Sequence, residues 1–256
     1  MELDLKKVSL DAYDTGGELT LTQEETAETI VPDYCPDIAR IIETDGKVYL
    51  HSRELRDGKA ELSGTVRVTV LYTPDGESGV RTLEFAIPFT AESDGRALPG
   101  CQHLTAETET EFLEARMLNP RKIFTHCKLV THITGYQRKP LVFCADTEAE
   151  PGLQVEKRQE NQHAILLTHI AEKDFTFTEE MNLSPGREGA AELLTSQVSS
   201  TVTETKIVGS KLIFKGVFSI SLLYRDNNGG CSSFTSELPF SQIMEVEGAK
   251  EGSAAS

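Results

Sequence analysis

One stretch of this chain returns 152 residues further on, and a recurrence at fixed spacing constrains the fold more than any other feature. ELSGTVRVTVLY at Glu61–Tyr72 reappears as IFKGVFSISLLY at Ile213–Tyr224, which sets Gly64 against Gly216 and Tyr72 against Tyr224. Val66, Val68 and Val70 then meet Phe218, Ile220 and Leu222. Upstream, Ile38, Ile41 and Ile42 meet Ala190, Leu193 and Leu194. Downstream, LEFAIPF at Leu83–Phe89 meets FTSELPF at Phe234–Phe240 after the loss of one loop residue, so Pro88 and Phe89 match Pro239 and Phe240. Both copies also open alike, Thr20–Glu24 resembling Thr176–Glu180.

A repeat of about 150 residues divides the 256-residue chain into a first unit over 1–150 and a second over 151–256. The stretch HLTAETETEFLEARMLNPRKIFTHCKLVTHITGYQ of the first unit has no second version. The second unit is therefore expected to be incomplete, with Gly248–Ser256 as a cut edge of a longer protein. The charged stretch Asp146–Gln159, containing Pro151-Gly152, is the expected linker.

Alternation of apolar and polar residues marks strands with one buried face. Leu62, Val66, Val68, Val70 and Tyr72 point one way, and Thr65, Arg67 and Thr69 the other. Phe214, Phe218, Ile220, Leu222 and Tyr224 repeat the pattern. Gly64 and Gly216 break the apolar face at the same place, as at a bulge or a close backbone approach. Asp57-Gly58 and Gly209-Ser210 read as two-residue hairpin turns, and Pro74–Gly79 and Asp226–Gly230 as wider loops. Pro88 and Pro239 point to strand ends or edge strands. Glu107–Glu111 and Ile123–Ile133 extend the first unit as strands around an Asn119-Pro120 turn.

One short helix is expected in each copy. In PDIARIIETDG, Ile38, Ile41 and Ile42 have helical spacing, Pro36 suits a first turn and Gly46 follows the end. Ala190, Leu193 and Leu194 repeat that spacing. The expected fold is mainly β: two tandem β-sandwich or barrel-like units, each with one short helix, the second unit incomplete.

The composition narrows the function. Asp and Glu outnumber Lys and Arg by 41 to 25, a formal charge of −16, and no basic face offers itself to nucleic-acid phosphates or an anionic membrane. The N-terminal MELDLKKVSL lacks the apolar core of a secretory signal, and Ala164–Leu167 is too short to span a bilayer. No membrane insertion is expected. Five scattered cysteines, Cys35, Cys101, Cys127, Cys144 and Cys231, without a CxxC, suggest reduced thiols in a cytoplasm.

Candidate chemistry is thin. His126 and His132 share a strand face but stand about 20 Å apart, too far for one metal ion, and His163 and His169 repeat that spacing. Glu107, Glu109 and Glu111 form a carboxylate ladder that reads first as a wet strand face. GxSxG, a phosphate loop and HExxH are missing, and Cys35 has no basic neighbour in sequence to activate it. The copies share architectural residues, whereas Asp33 and Asp37 have no aspartates opposite them. No catalytic, cofactor or metal residue is therefore assigned. The positions taken as structural are Pro36, Asp37, Gly64, Tyr72, Pro88, Phe89, Gly216, Tyr224, Pro239 and Phe240.

VPDYCPDIARII at Val31–Ile42, then LSGTVRVTVLY, FAIPF and LNPRKI at Leu118–Ile123, resemble the SPOCS domain of SipL-like spore morphogenetic proteins. The resemblance covers nearly all of the first copy and more weakly the second, which lacks the Pro-Asp motif. It implies a non-enzymatic scaffold in endospore envelope assembly, in the mother-cell cytoplasm at the forespore surface. Implied partners are other spore envelope proteins or further copies of the chain, with a LysM module possible in a longer protein. A glycan- or cell-wall-fragment-binding module is the alternative, weakened by the absence of Trp, and a hydrolase using the acidic ladder stands third.

Overall fold

The computed structural model describes residues 3–149, 165–183, 189–249 and 252–255, together with the single positions 156, 158 and 160. It contains eleven strands among those residues: β1 Leu3–Leu10, β2 Tyr13–Ile30, β3 Ile38–Arg56, β4 Lys59–Pro74, β5 Arg81–Glu92, β6 His103–Asn119, β7 Lys122–Arg138, β8 Leu141–Ala149, β9 Ala190–Val208, β10 Lys211–Asp226 and β11 Cys231–Glu245. All pairings are antiparallel, in sheets ordered β2-β7-β6, β3-β4-β5, β11-β10-β9 and β1-β8.

The first eight strands place the β2-β7-β6 sheet over the β3-β4-β5 sheet, with β6 beside β3 and β2 beside β5. The central strands of the two sheets, β4 and β7, supply the densest alternation of buried residues. Val66, Val68, Val70 and Tyr72 of β4 meet Ile123, Cys127 and Leu129 of β7, flanked by Leu83, Ile87 and Phe89 of β5. Ala60, Leu62, Ala91, Leu98 and Ile133 fill the other end, with Leu19 and Leu21 of β2 packed against them. Each fully buried aliphatic or aromatic side chain contributes about 1.5–3 kcal/mol over its exposed form, so this two-faced alternation is what holds the sheets together.

No helix occurs among the described residues, and both expected helices are strands. Ile38 pairs with Pro74 and Ile41 with Tyr72, while Ala39 and Ile42 are the extra residues of two bulges. A bulge inserts one residue, so neighbouring core-facing positions come three apart where a regular strand has two. The i, i+3 spacing is thus a strand period with an insertion. Gly46, expected to follow a helix end, sits in β3 where a Cβ would stand 2.6 Å from Leu113 Cδ2, so its bareness lets β6 approach. In β9, Ala190 pairs with Asp226 and Leu193 with Tyr224, leaving Ala191 and Leu194 as the extra residues. A third bulge, at His51 in β3 and Thr203 in β9, recurs at the same offset of 152. The strand bounds follow suit, Ile38–Arg56 against Ala190–Val208 and Lys59–Pro74 against Lys211–Asp226.

Turns and prolines fall as read. Asp57 and Gly58 have φ of 50° and 81°, the pair of positive angles that a tight hairpin with this twist requires. Pro88 and Pro239 lie on the edge strands β5 and β11, where a missing N–H costs no ladder bond to a further strand. The expected linker is partly strand, since Asp146–Ala149 pair with Leu3–Lys6, while its residues 150–155, 157 and 159 lie outside the described residues.

Thr20–Glu24 belong to β2, but Thr176–Glu180 form no strand. The difference is pairing: β2 is held by β7, whereas among the described residues 165–183 make only an isolated bridge, Leu167 with Tyr13. That segment crosses the face of the β9-β10-β11 sheet, its Phe175 ring 6.0 Å from Phe240 and 6.2 Å from Phe214.

Gly64 is paired with Phe89 and Gly216 with Phe240. A Cβ on Gly64 would meet Phe89 Cζ and the Tyr49 carbonyl oxygen, each at 2.6 Å. On Gly216 it would meet Phe240 Cζ at 2.5 Å and the Thr201 oxygen. The glycine bares the backbone so that the neighbouring ring lies flat across it and the bulged strand closes in. Gly64→Ala is expected to cost about 1–3 kcal/mol in urea unfolding, the usual range for forcing a group into a filled core. Phe89→Leu should not restore it, because the Tyr49 carbonyl still blocks the methyl.

Burial pushes the Cys127 thiol up to about 11. Burial first, then the neighbouring Cys35, pushes the Tyr72 phenol up to about 12. Both groups are held neutral in the fold and ionise earlier in the unfolded chain. Their stabilisation is complete below about pH 9 and is lost as pH rises through 11 toward 12. Urea midpoints measured over that alkaline window should fall, with the earlier part of the fall missing in Cys127→Ala.

Candidate functional site

The most heavily built polar cluster surrounds Arg121, in the turn between β6 and β7. Asn119 Oδ1 accepts the Arg121 N–H at 2.9 Å and shapes that turn. The turn then receives both ends of the Val31–Asp37 loop: the Val31 N–H donates to the Arg121 oxygen and the Ile38 N–H to the Pro120 oxygen, each at 2.9 Å. The guanidinium returns the contact, donating from Nη2 to the Val31 oxygen and from Nη1 to the Cys35 oxygen, both at 2.7 Å. Asp37 Oδ1 at 3.1 Å and Asp33 Oδ1 at 3.2 Å complete its fork. A planar guanidinium suits this task because its donors point in several fixed directions at once.

The other side of the loop is tied to β4. The Asp75 N–H donates to the Asp37 oxygen at 2.8 Å, and the Tyr72 hydroxyl reaches the Pro36 oxygen at 3.4 Å. Pro36, Asp37 and Tyr72 thus belong to one clamp that binds the loop to both sheets. Its tip carries Tyr34, 87% exposed. Asp33 and Asp37 are counter-ions to Arg121. Sequence reasoning missed Arg121 although it lies inside LNPRKI, because its partners are more than 80 positions away.

The remaining candidates stay apart. His126 and His132 face outward from β7 onto different partners, Glu24 at 3.2 Å and Thr20 at 3.1 Å. His163 lies outside the described residues, and His169 contacts Thr168 at 2.9 Å. Glu107, Glu109 and Glu111 line the exposed face of β6, with Glu111 paired to Lys128 at 2.6 Å, which raises the lysine's pKa. Tyr224 and Phe240 are buried like Tyr72 and Phe89. Cys35 and Cys101 are half-buried, Cys127 is buried, Cys144 and Cys231 are exposed, and all five are free.

A cavity of about 630 Å³ lies between β3 and β4 on one side and β9, β10 and the start of β11 on the other. Equivalent positions line it from both sides, Asp45 with Gln197, Thr69 with Ser221 and Leu71 with Leu223. Lys47 Nζ bridges it, donating to the Ser196 carbonyl and standing 3.4 Å from Ser196 Oγ. This is a polar seam between two sheets, with hydroxyls, the Glu43 and Asp45 carboxylates and one ammonium spread along it.

Arg121→Ala is expected to cost about 1.5–3 kcal/mol in urea unfolding, the range for charge-assisted hydrogen bonds. Arg121→Lys should recover less than half, since one ammonium cannot span the Val31 and Cys35 carbonyls. Limited proteolysis should then cut first at Val31–Asp37.

The family described as SipL, SPOCS domain matches residues 37–118 and 190–256, more than half of the chain. The first segment runs from Asp37 of the clamp through β3, β4, β5 and nearly all of β6, and the second begins at the first residue of β9. No curated protein and no solved structure matches. The family suggests a sporulation-related role, and no helix among the described residues is long and apolar enough to cross a membrane. With two matched segments that each open at a strand carrying three bulges, the chain belongs to the SipL, SPOCS domain family.

Proposed function

We propose that this chain is a non-enzymatic interaction module of endospore envelope assembly, acting at the forespore surface through contacts with other envelope proteins or with further copies of itself. Family membership supports the sporulation setting. The β1–β8 ribbon carries the interaction reading. It is a two-stranded sheet that prolongs the β2–β7 pair, and among the described residues neither of its strands pairs with a third strand. Leu5, Val8 and Leu10 on β1, with Leu141, Val142 and Phe143 on β8, are 39–56% exposed.

An isolated pair of strands gains little stability in water, and open edges with apolar side chains invite a further strand. Strand addition supplies backbone hydrogen bonds for affinity and side-chain pockets for selectivity, which is how a scaffold without a catalytic cluster can be specific. A glycan would ask for flat aromatic platforms, and no aromatic side chain lines the polar seam beside Lys47, where Glu43, Asp45 and Gln197 stand among hydroxyls and aliphatic groups.

Light scattering over a concentration series, paired with capture of envelope proteins from sporulating cells, tests the proposal. The chain should self-associate or retain envelope proteins, and Val142→Glu with Phe143→Glu should abolish this without lowering the urea midpoint. A monodisperse monomer that retains no envelope protein would refute it.

A further inference from the structure

We propose that the cavity between β3-β4 and β9-β10 binds a short zwitterionic peptide, its free ammonium received by Glu43 and Asp45 and its free carboxylate by Lys47. This goes beyond the interaction reading given above and does not rest on the β1–β8 ribbon, which is built from other strands. At about 630 Å³ the cavity falls within the range of about 300–1,000 Å³ that small-ligand sites occupy.

The charges are laid out along one wall. Glu43, Asp45 and Lys47 alternate along β3 and pair with Leu71, Thr69 and Arg67 of β4 at the same step, so no bulge breaks the row. Their side chains leave one face of the strand at intervals of about 6.6 Å. The equivalent positions in the second unit are Thr195, Gln197 and Ser199, all uncharged. Two sheets docked on each other alone would set charge against charge across the seam. Instead, among the described residues, neither Glu43 nor Asp45 has an ion pair or a side-chain hydrogen bond. Arg67, the next cation on this wall, is turned onto the Tyr49 ring, 5.3 Å from its centroid.

Lys47 marks the other end of the ligand. Its Nζ crosses to β9, donating to the Ser196 carbonyl and standing 3.4 Å from Ser196 Oγ. An ammonium has three N–H donors, so one remains for a carboxylate in the cavity, with the Ser196 hydroxyl beside it as a further donor. Along β3 this ammonium stands about 7 Å from the Asp45 position and about 13 Å from that of Glu43. An extended chain of about two to four residues, at about 3.3–3.6 Å each, spans that interval between its free ends.

The flanking strands favour a peptide over other dipolar molecules. β3 and β9 are each outermost in their sheets, and consecutive residues of both, 45–47 and 195–198, line the cavity. The Ser196 carbonyl taken by Lys47 is a backbone group that β9 turns into this space. An extended peptide beside it exchanges backbone hydrogen bonds with the strand edge, while Leu71 and Leu223 give its side chains an apolar bed. Thr69 and Ser221, at equivalent positions on the two walls, suit small neutral side chains. Acidic ones are repelled by Glu43 and Asp45.

The test titrates the full, nitrogen-15-labelled chain with trialanine and follows its backbone amide resonances. Saturable shifts are expected at residues 43–47 and 195–198. N-acetylation of the peptide and amidation of its C-terminus should each weaken binding about tenfold or more, as loss of a charge-assisted contact does. Glu43→Gln with Asp45→Asn should erase the preference for a free N-terminus and keep that for a free carboxylate. Lys47→Met should do the reverse, and unchanged resonances in β5, β6 and β7 show that both variants are folded. Failure to saturate by about 10 mM trialanine, or shifts confined to other residues, would overturn the inference. So would equal binding of free and capped peptides, or end preferences that survive both variants. Each of these results leaves the ribbon proposal standing, since light scattering reads that one separately.

Discussion

The packing of β4 on β7 is the contact on which the first eight strands depend. Both are central strands, each paired on two sides, and each turns every second residue into the same narrow space. Without Trp and with few aromatics, that space is closed by Val, Ile and Leu whose stiff, branched shapes suit a pleated surface. The edge strands are positioned by it: β5 brings Phe89 over Gly64, β6 comes close to β3 because Gly46 has no side chain, and the β6–β7 turn brings Arg121 to the loop that feeds β3.

The same arithmetic explains which parts of the fold were legible in the sequence. β4 and β10 are regular, their apolar residues fall at every second position, and they could be read directly. β3 and β9 carry three bulges each, and every bulge resets the alternation. A strand with two bulges three residues apart shows core positions at a spacing that also suits a helix, so Ile38 and Ile41 mislead anyone reading period alone. What distinguishes them is the partner, Pro74 and Tyr72 on β4, which no local window contains. The Arg121 clamp was hidden for a related reason. Its residues are individually unremarkable for a loop and a turn, and only folding brings Val31, Cys35 and Asp37 around one guanidinium.

The repeated positions prove to be coupled in space as well as in sequence. Gly64 and Phe89 touch, as do Gly216 and Phe240, and the bulges at His51 and Thr203 put the Tyr49 and Thr201 carbonyls over the same glycines. Each set is a glycine, a ring from the next strand and a bulge from the other neighbour, so the glycine cannot gain a side chain without a clash and the ring cannot shrink without a void. Such a set specifies the bend and twist of a three-stranded sheet and says nothing of a substrate. That is why the comparison of copies points to architecture, and why polar residues such as Asp33 and Asp37 appear in one copy alone.

The two sheets built on this plan differ in what lies on their inner faces, and the difference follows from pairing. A strand-like segment becomes a strand when a neighbour accepts its backbone groups, as β7 does for β2. Residues 173–181 carry the apolar alternation of β2 and reach the corresponding place, yet stay irregular, with no strand pairing them among the described residues. Sequence pattern therefore decides where a segment lies and which face it buries, while its secondary structure waits on the partner. The aromatic cluster of Phe175, Phe177, Phe214, Phe218 and Phe240 compensates in part, covering β11 and the near side of β10 with large rings. It cannot reach β9, and it is there, at Leu193, Val198 and Val202, that apolar surface remains in water.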